Sequence, residues 1–333
     1  MSLQKCSKVI LILSLSVIIL VTICVCLLNQ PSFLSWATRF IINKYSTGII
    51  VDRVSMDQVR WFFWQKVSLK NFKVTSRIRG VGYQLSSSQV IIDSLDGLIS
   101  KDPIKVTVKD SNIISKDLTV SGVETETRIH MDRFKYSFSL TQMSIAQLKY
   151  RQYSINDIKG SLNDANRQIV LSNVYGNLYG GNMLLNGWFK YSAPMSYQSR
   201  IQLNHVDSNL LSKENPSFSQ LTAVVDGDIT LKNFKNSGLN IQADLHAPSG
   251  GRMKASLLMF LAQYVPQRQQ IEDLIQRNEQ IPLDKARIIV TSLSSQKISS
   301  QVALTSSSIN LNMNIKFDFN IEGGLEHLLE YIH

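Results

Sequence analysis

Short stretches of alternating apolar and polar residues dominate the chain from residue 49 onward. Examples are "KVSLKNFKV", "IKVTVKDSNII" and "LTAVVDGDITLKNF", and Gly, Asn, Asp, Ser or Pro separates each stretch from the next. A period of two is typical of β-strands that bury one face, and short polar links join antiparallel neighbours. The pattern predicts a mainly β protein with roughly sixteen to nineteen strands.

The longest alternation lies near the C-terminus. Its apolar positions are Ile309, Leu311, Met313, Ile315, Phe317, Phe319 and Ile321. Asn, Lys and Asp occupy the positions between them. One face of this strand is therefore predicted to be apolar throughout, while the other face is in contact with water.

Three segments have helical spacing instead. In residues 29–48, apolar residues recur at intervals of three and four, and Gly48 stands where a helix C-cap is expected. Residues 250–280 are predicted to form a helical insert of two helices that are separated at Pro266. Residues 323–333 fit a short C-terminal helix. The sheet is accordingly expected in residues 49–249 and 281–322.

A long apolar run at residues 9–28 follows Lys5 and Lys8. Twenty helical residues span about 30 Å, which is the thickness of a bilayer's hydrocarbon core. A cleaved signal peptide is the alternative, but "CLLNQPSF" offers no small-residue cleavage site. We therefore expect a single-pass anchor with residues 1–8 in the cytoplasm and the bulk of the chain outside it.

Cysteine usage and charge narrow the possible functions. Cys6, Cys24 and Cys26 all lie within or just before the apolar run, so the exported part has no thiol for a disulfide or a metal. The net charge of +10 comes from scattered Lys and Arg, which indicates a solvated surface with weak attraction to anionic lipid headgroups. Nucleic-acid binding is not expected of a domain exported across a membrane. The near absence of N-x-[ST] acceptors favours a bacterial envelope, with the anchor in the inner membrane and the domain in the periplasm.

The stretch "NVYGNLYGGNMLLNGWF", residues 173–189, carries four glycines in what reads as extended chain. Gly176-Asn177 is a pair of the type that closes two-residue hairpins. A hairpin there places Gly181, Met183, Leu185 and Gly187 on one apolar face with a gap at each glycine. Two interpretations stay open, namely that the glycines mark bulges in a curled sheet, or that they leave room for a ligand.

Residues 171–211, "LSNVYGNLYGGNMLLNGWFKYSAPMSYQSRIQLNHVDSNLL", resemble the AsmA-like proteins of Gram-negative envelopes. In that family a "LYGG" strand leads to an extended pair and a closing "V-D-x-x-x-L". The Thr47-Gly48 step, "IIVDRVSMD" and "VSLKNFKV" behind the apolar run are similar to the family's N-terminal pattern. This chain is shorter than most members, and its insert at residues 250–280 has no counterpart in the resemblance.

The resemblance implies an elongated, strongly curled antiparallel β-sheet that forms an open apolar trough. It also implies a role in moving phospholipids and in maintaining the outer membrane. We expect the trough to be lined by the apolar residues of 309–319 together with Met183, Leu185, Gly181 and Gly187. Such a trough is useful because moving a sixteen-carbon acyl chain into water costs about 12 kcal/mol at about 0.8 kcal/mol per CH₂.

Aromatic residues near the apolar run have two interpretations. "RWFFWQK", residues 60–66, places four aromatic residues in a row, and Trp36 lies in the predicted juxtamembrane helix. Trp36, Trp61 and Trp64 are candidates for the membrane interface, where indole rings are enriched. Ordinary burial in the sheet core is the alternative for the residues of the strand.

Catalysis has no candidate in the sequence. The five histidines show no ligand spacing, and neither G-x-S-x-G nor a P-loop occurs. We expect no enzyme activity, no cofactor and no metal. The predicted partners are phospholipid, the inner membrane and an envelope protein at the C-terminal end. The alternative function is that of a structural or assembly factor of an envelope machine, such as an accessory component of type II secretion.

Overall fold

The computed structural model describes residues 29–45, 49–62, 65–78, 80–93, 103–132, 135–165, 168–190, 196–233, 239–258, 268–277, 279–294 and 296–320. The predicted cytoplasmic tip at 1–8, the anchor at 9–28 and the C-terminal helix at 323–333 lie outside these residues, as do Trp64 and Ile321. Within the described part, none of the helices has the length and apolar character needed to cross a membrane.

Eighteen strands and three α-helices make up the described part of the chain. The first strands are β1 (Ile49–Ser55), β2 (Gln58–Phe62), β3 (Lys66–Ile78), β4 (Val81–Asp93), β5 (Ile104–Ser115), β6 (Leu118–Asp132), β7 (Lys135–Tyr150), β8 (Tyr153–Ala165) and β9 (Gln168–Leu178). The remaining strands are β10 (Gly181–Lys190), β11 (Ser196–Asp207), β12 (Leu221–Asn233), β13 (Leu239–Ala247), β14 (Gly251–Lys254), β15 (Gln280–Leu283), β16 (Lys285–Ser294), β17 (Lys297–Ser306) and β18 (Leu311–Asn320). The helices are α1 (Pro31–Tyr45), α2 (Ser208–Glu214) and α3 (Arg268–Gln276), with 3₁₀ turns at Pro216–Gln220 and Ala255–Leu258.

The strands form one antiparallel sheet that is not closed, which confirms the predicted fold class at that level. β1 and β2 both pair with β3, and β3 to β6 then pair in succession. β8 to β13 also pair in succession, after which β13 pairs with β16, β16 with β17 and β17 with β18. The chain divides into two compact units, Met1–Ala146 and Gln147–His333, and the boundary falls within β7.

The core of the first unit lies under α1. Its buried residues are Val51, Val54, Met56, Val59, Val67 and Leu69, which come from β1, β2, β3 and the turn between β1 and β2. Leu34 of α1 packs against this cluster. Helix α1 therefore shields the start of the sheet from water, as the apolar spacing of residues 33–41 predicts.

Side chains from α1 also satisfy the backbone of the first strands. Asn43 accepts a hydrogen bond from the Val51 N–H at 2.7 Å and donates one to the Val51 carbonyl at 3.0 Å. The Arg39 Nε donates to the same carbonyl at 3.2 Å. Asn29, just before α1, accepts from the Trp61 N–H at 2.7 Å. Polar groups that an edge strand would otherwise leave unpaired are thus bonded to α1 and its flanking residue.

Six strands contain an interior residue in the left-handed conformation. These residues are Asn71, Asp110, Gly122, Asp157, Asn173 and His205, with φ between 45° and 62°. All but Asn71 stand next to a shift in strand register, which is the signature of a β-bulge. Asn, Asp and His tolerate positive φ better than other non-glycine residues, and a bulge bends its strand.

Side chains of neighbouring strands bond the spare backbone N–H groups of three bulges. The Asn173 N–H donates to the Asn186 side chain at 2.8 Å, and the His205 N–H donates to the Asp226 carboxylate at 2.6 Å. The Gly122 N–H donates to the side chain of Asn112 at 3.2 Å. The bulges are therefore built into the sheet with their backbone groups satisfied.

The core of the second unit lies at the end of the sheet where β12 changes partners. The first half of β12 pairs with β14 and its second half pairs with β13. The buried cluster there comprises Ala223, Ala247, Met253, Ala255, Leu258, Ile281, Leu283, Ala286 and Leu304, and side chains of α3 pack against it. The predicted helical insert at residues 250–280 therefore contains strand β14 as well as helix. Strand β15, which pairs with β14, begins at the last residue of the predicted insert, Gln280. Residues 259–267, including Pro266, lie outside the described residues.

The β9–β10 hairpin turns three residues later than predicted. Its turn residues are Tyr179 and Gly180, both with positive φ, and Gly181 pairs with Leu178. The Tyr179 hydroxyl is hydrogen-bonded to Glu214 at the end of α2, and burial together with this bond raises the pKa of Tyr179. The predicted turn at Gly176-Asn177 is wrong, because both residues lie within β9 and pair with β10, Gly176 with Met183 and Asn177 with Asn182.

We expect Asn173→Val to lower the free energy of unfolding by about 1 to 2 kcal/mol, because a β-branched residue resists the left-handed conformation. Asn173→Gly should leave it nearly unchanged. Asn182→Val is the matched control, since Asn182 is an exposed residue of the neighbouring strand without positive φ. Urea unfolding monitored by circular dichroism checks all three, and equal losses for Asn173→Val and Asn182→Val would contradict the bulge assignment.

Candidate ligand-binding face

Strand register aligns apolar residues across eight strands of the second unit. One row, from β9 to β18, consists of Val174, Leu185, Ile201, Ile229, Ala243, Val290, Ser300 and Phe317. The neighbouring row consists of Gly176, Met183, Leu203, Gly227, Leu245, Ile288, Val302 and Ile315. Directly paired residues of an antiparallel sheet point to the same side, so these two rows form one surface, here called the apolar face.

Most side chains of the apolar face are only half-buried. Val174, Met183 and Ala243 are buried, whereas most of the others, among them Leu185, Ile201, Ile229 and Ile315, keep part of their surface in contact with solvent. A run of apolar side chains that the protein itself covers incompletely is unusual for a soluble domain and is typical of a binding surface. The first unit has a similar row of its own, made of Val54, Val74, Leu85, Ile113 and Val120.

The opposite side of the same strands is polar and charged. The Arg200 Nε lies 2.9 Å from an Asp228 carboxylate oxygen on the neighbouring strand. Arg287 donates from Nε and Nη2 to the two oxygens of Asp244, at 2.9 and 2.6 Å. Lys297 and Asp318 form a further pair at 3.4 Å. The two sides of the sheet therefore differ as sharply as the alternation in the sequence predicts.

The hydrogen bonds from Arg287 lower the pKa of the Asp244 carboxyl below its usual range. A lowered pKa means that the folded protein favours the ionised carboxyl. This pair therefore contributes to stability at neutral pH and loses that contribution as the pH falls below about 4. Asp244 and Arg287 are therefore both charged at physiological pH.

The predicted lining residues of the last strand fall into two groups. Ile309, which lies in the turn before β18, packs with Leu311 and Met313 against the buried cluster of the second unit. Ile315 and Phe317 lie beyond that cluster on the apolar face, and Phe319 is 51% exposed. Ile309, Leu311 and Met313 therefore contact the protein's own core. Ile315, Phe317 and Phe319 remain candidates for ligand contact.

The glycines do not leave room for a ligand. A side chain at Gly181 would come within 2.5 Å of the Asn204 and His205 backbone, because the bulge in β11 moves that backbone toward β10. A side chain at Gly187 would lie 2.5 Å from the Gln198 carbonyl oxygen. The interpretation in which Gly181 and Gly187 are open positions of the lining is wrong, since both are sites of close strand approach.

The tryptophans predicted to lie at the membrane interface differ in their exposure to solvent. Trp36 is 61% exposed and stacks on Phe40 with ring centroids 5.6 Å apart. Trp61 is half-buried and packs against the core of the first unit, so ordinary burial describes it better. Trp64 lies outside the described residues. Of the two that the structure describes, Trp36 has the exposure that an interface role needs, and for Trp64 the prediction stays untested.

Several residues of the apolar face were not identified from the sequence. Ile201 and Ile229 alternate with polar residues in their strands, which was the available signal, whereas Ile288 and Val290 stand on either side of the apolar Ile289. Alternation alone does not say which strands pair, so their alignment with Leu185 and Phe317 follows from the register.

The described residues contain no candidate metal site. No group of three or more His, Cys, Asp and Glu residues is close enough there to hold a metal ion. His205 lies 3.4 Å from Asp226, but the imidazole is 80% exposed and the contact belongs to the bulge. No protein-family model matches this sequence, and comparisons with curated proteins and with solved structures found no match. The AsmA-like resemblance therefore stays a prediction.

We expect Gly187→Leu to destabilise the protein by roughly 1 to 3 kcal/mol, since the added side chain meets the β11 backbone. Gly82→Leu is the control, because nothing lies within 4 Å of a side chain added at that strand position. Thermal melting of both variants checks the prediction. A Gly187→Leu variant as stable as the original chain would restore the open-gap interpretation.

Photocrosslinking amino acids at Ile315 and Phe317 should label phospholipid, and the same probe at Asn314 and Lys316 should not. The reason is that odd-numbered residues of β18 share the apolar face, whereas their neighbours point to the charged side. Mass spectrometry of the labelled protein is the measurement. Similar labelling at all four positions would contradict a one-sided binding surface.

Proposed function

We propose that this protein is an inner-membrane-anchored periplasmic protein that binds phospholipid acyl chains on its apolar face. The observation that carries the proposal is the pair of apolar rows across eight strands, half-buried on one side of a sheet whose other side is charged. Acyl chains are the partners that such a surface suits, because they are long, apolar and without hydrogen-bonding groups.

The dimensions of the apolar face support this choice. Eight strands at about 4.8 Å spacing extend over about 34 Å. One leaflet's acyl chains occupy half of a hydrocarbon core of about 30 Å, so a single lipid fits along the rows with space to spare. Covering the acyl chain in this way avoids most of the cost of exposing it, about 0.8 kcal/mol per CH₂, while the headgroup stays in water.

The bulges provide the curvature that the proposal needs. Each bulge bends its strand, and the left-handed residues recur in six strands. In the proposed form the strands curl into an open trough that partly encloses the acyl chains. The anchor at residues 9–28 holds the trough at the inner membrane, and its role is to support lipid homeostasis of the outer membrane, as in the AsmA-like proteins that the sequence resembles.

A second candidate function is that of a structural or assembly factor of an envelope machine, such as an accessory component of type II secretion. The observation that favours it is the last strand. β18 ends the succession of paired strands that begins at β8, and it pairs there with β17. An edge of this kind is suited to continue into the sheet of a partner protein, which is the envelope partner predicted at the C-terminal end.

Lipid analysis of the released domain tests the proposal. A protease site placed directly before Asn29 allows residues 29–333 to be separated from the anchor and washed free of detergent, and bound phospholipid is then measured by native mass spectrometry. We expect bound phospholipid in the original chain. Its reproducible absence, with a stable protein partner instead, would contradict lipid binding and favour the assembly function.

Two substitutions in β10 make the test specific. Leu185→Asp places a charge on the apolar face and should reduce the bound lipid several-fold, because an unpaired carboxylate is costly beside acyl chains. Leu184→Asp places the same charge on the opposite side of the same strand, where it should have little effect. Equal lipid content in the two variants would show that the lipid is bound elsewhere.

A further inference from the structure

Helix α1 presents an aromatic ridge to solvent. The ridge consists of Phe33, Trp36 and Phe40, with ring centroids 6.1 Å apart for the first pair and 5.6 Å for the second. Trp36 is 61% exposed and Phe40 is 51% exposed. Two neighbouring aromatic side chains that keep more than half of their surface in solvent mark an interaction site more often than a plain surface.

The rest of the helix is held against the sheet, so the ridge cannot turn inward. Leu34 packs into the core of the first unit, and Asn43 makes two hydrogen bonds to the Val51 backbone. Asn29 bonds the backbone of Trp61. Rotating α1 to bury the aromatic ridge would break these contacts.

The chemistry around the ridge matches a phospholipid surface. Trp36, Arg39, Phe40 and Asn43 line a shallow depression, so a guanidinium lies beside the exposed rings. Helix α1 carries Arg39 and Lys44 and contains no acidic residue. Basic residues beside an aromatic face are typical of helices that lie in the headgroup region of a membrane, where guanidinium groups bind phosphate.

The preceding chain indicates which membrane this is. Twenty-eight residues come before Asn29, and their apolar run ends at residue 28, only three positions before α1 begins at Pro31. If that run crosses a bilayer, α1 emerges at its surface.

We propose that the aromatic ridge lies in the headgroup layer of the membrane that holds the anchor, with Arg39 beside the ridge facing lipid phosphates. The inference rests on the anchor of the proposed function, but not on lipid binding by the apolar face. Its consequence is that α1 joins the first strands to the bilayer surface, because the same helix bonds β1 directly.

Nitroxide labels on the full-length chain test the proposal. Cys6, Cys24 and Cys26 are replaced by serine, and single cysteines are introduced at Trp36, Phe40 or Ser35. The labelled proteins are reconstituted into nanodiscs of phosphatidylethanolamine and phosphatidylglycerol, and accessibility to oxygen and to a water-soluble nickel chelate is measured by electron paramagnetic resonance. Ser35 is the matched control because its direction around the helix differs by about 100° from that of Trp36 and by about 140° from that of Phe40.

Labels at positions 36 and 40 should show a several-fold higher ratio of oxygen to nickel accessibility than the label at 35. Equal ratios at the three positions, or a chain that does not insert into nanodiscs, would overturn the proposal. Thermal melting of each labelled chain shows that the sheet is intact. Bound lipid in the released domain is measured separately, so a failure of the aromatic ridge and a failure of lipid binding by the apolar face are distinguishable.

Discussion

Strand register is the constraint on which the rest of this structure depends. Side chains alternate along a strand, so a shift of one residue between two neighbours would move every apolar residue of one strand to the charged side. In the second unit, the rows that end at Ile315 and Phe317 stay aligned across all eight strands, with no such shift between neighbouring strands along either row. The two chemically distinct sides of the sheet exist only because these alignments agree from strand to strand.

The bulges allow the strands to bend while the apolar rows stay aligned. A bulge adds a residue to one strand. The side chains after it would point to the wrong side of the sheet unless the extra residue takes no part in the pairing with the neighbouring strand. Asn173 and His205 do this by taking the left-handed conformation, while Asn186 and Asp226 bond their backbone N–H groups. Gly181 then has no side chain because the displaced backbone of β11 occupies its place. Polar residues and glycine within these strands are thus requirements of the bulges.

The first strands and the strands of the second unit differ in how completely other parts of the protein cover them. At the first strands, Asn43 and Asn29 bond backbone groups of β1 and β2, and α1 covers the core. In the second unit, the cluster around Met253 is fully buried, yet the rows next to it are only partly covered. A protein built only for stability would cover those rows, since each half-buried side chain forgoes hydrophobic stabilisation. The proposed lipid binding requires an accessible apolar face, and the alternative assembly role requires a strand edge at β18 to which a partner can add.

Local pattern was enough to predict the mainly β class, the approximate number of strands, the helix at residues 31–45 and the alternation from Leu311 to Phe319. These features depend on the period of neighbouring residues, which the amino-acid order contains directly. The hairpin turn at Tyr179, the strand β14 within the predicted insert, and the closeness of Gly187 to β11 were decided only by tertiary structure. Each depends on a contact between residues distant in sequence, such as Tyr179 with Glu214 or Gly187 with Gln198, and no local pattern specifies which distant segment will be the neighbour.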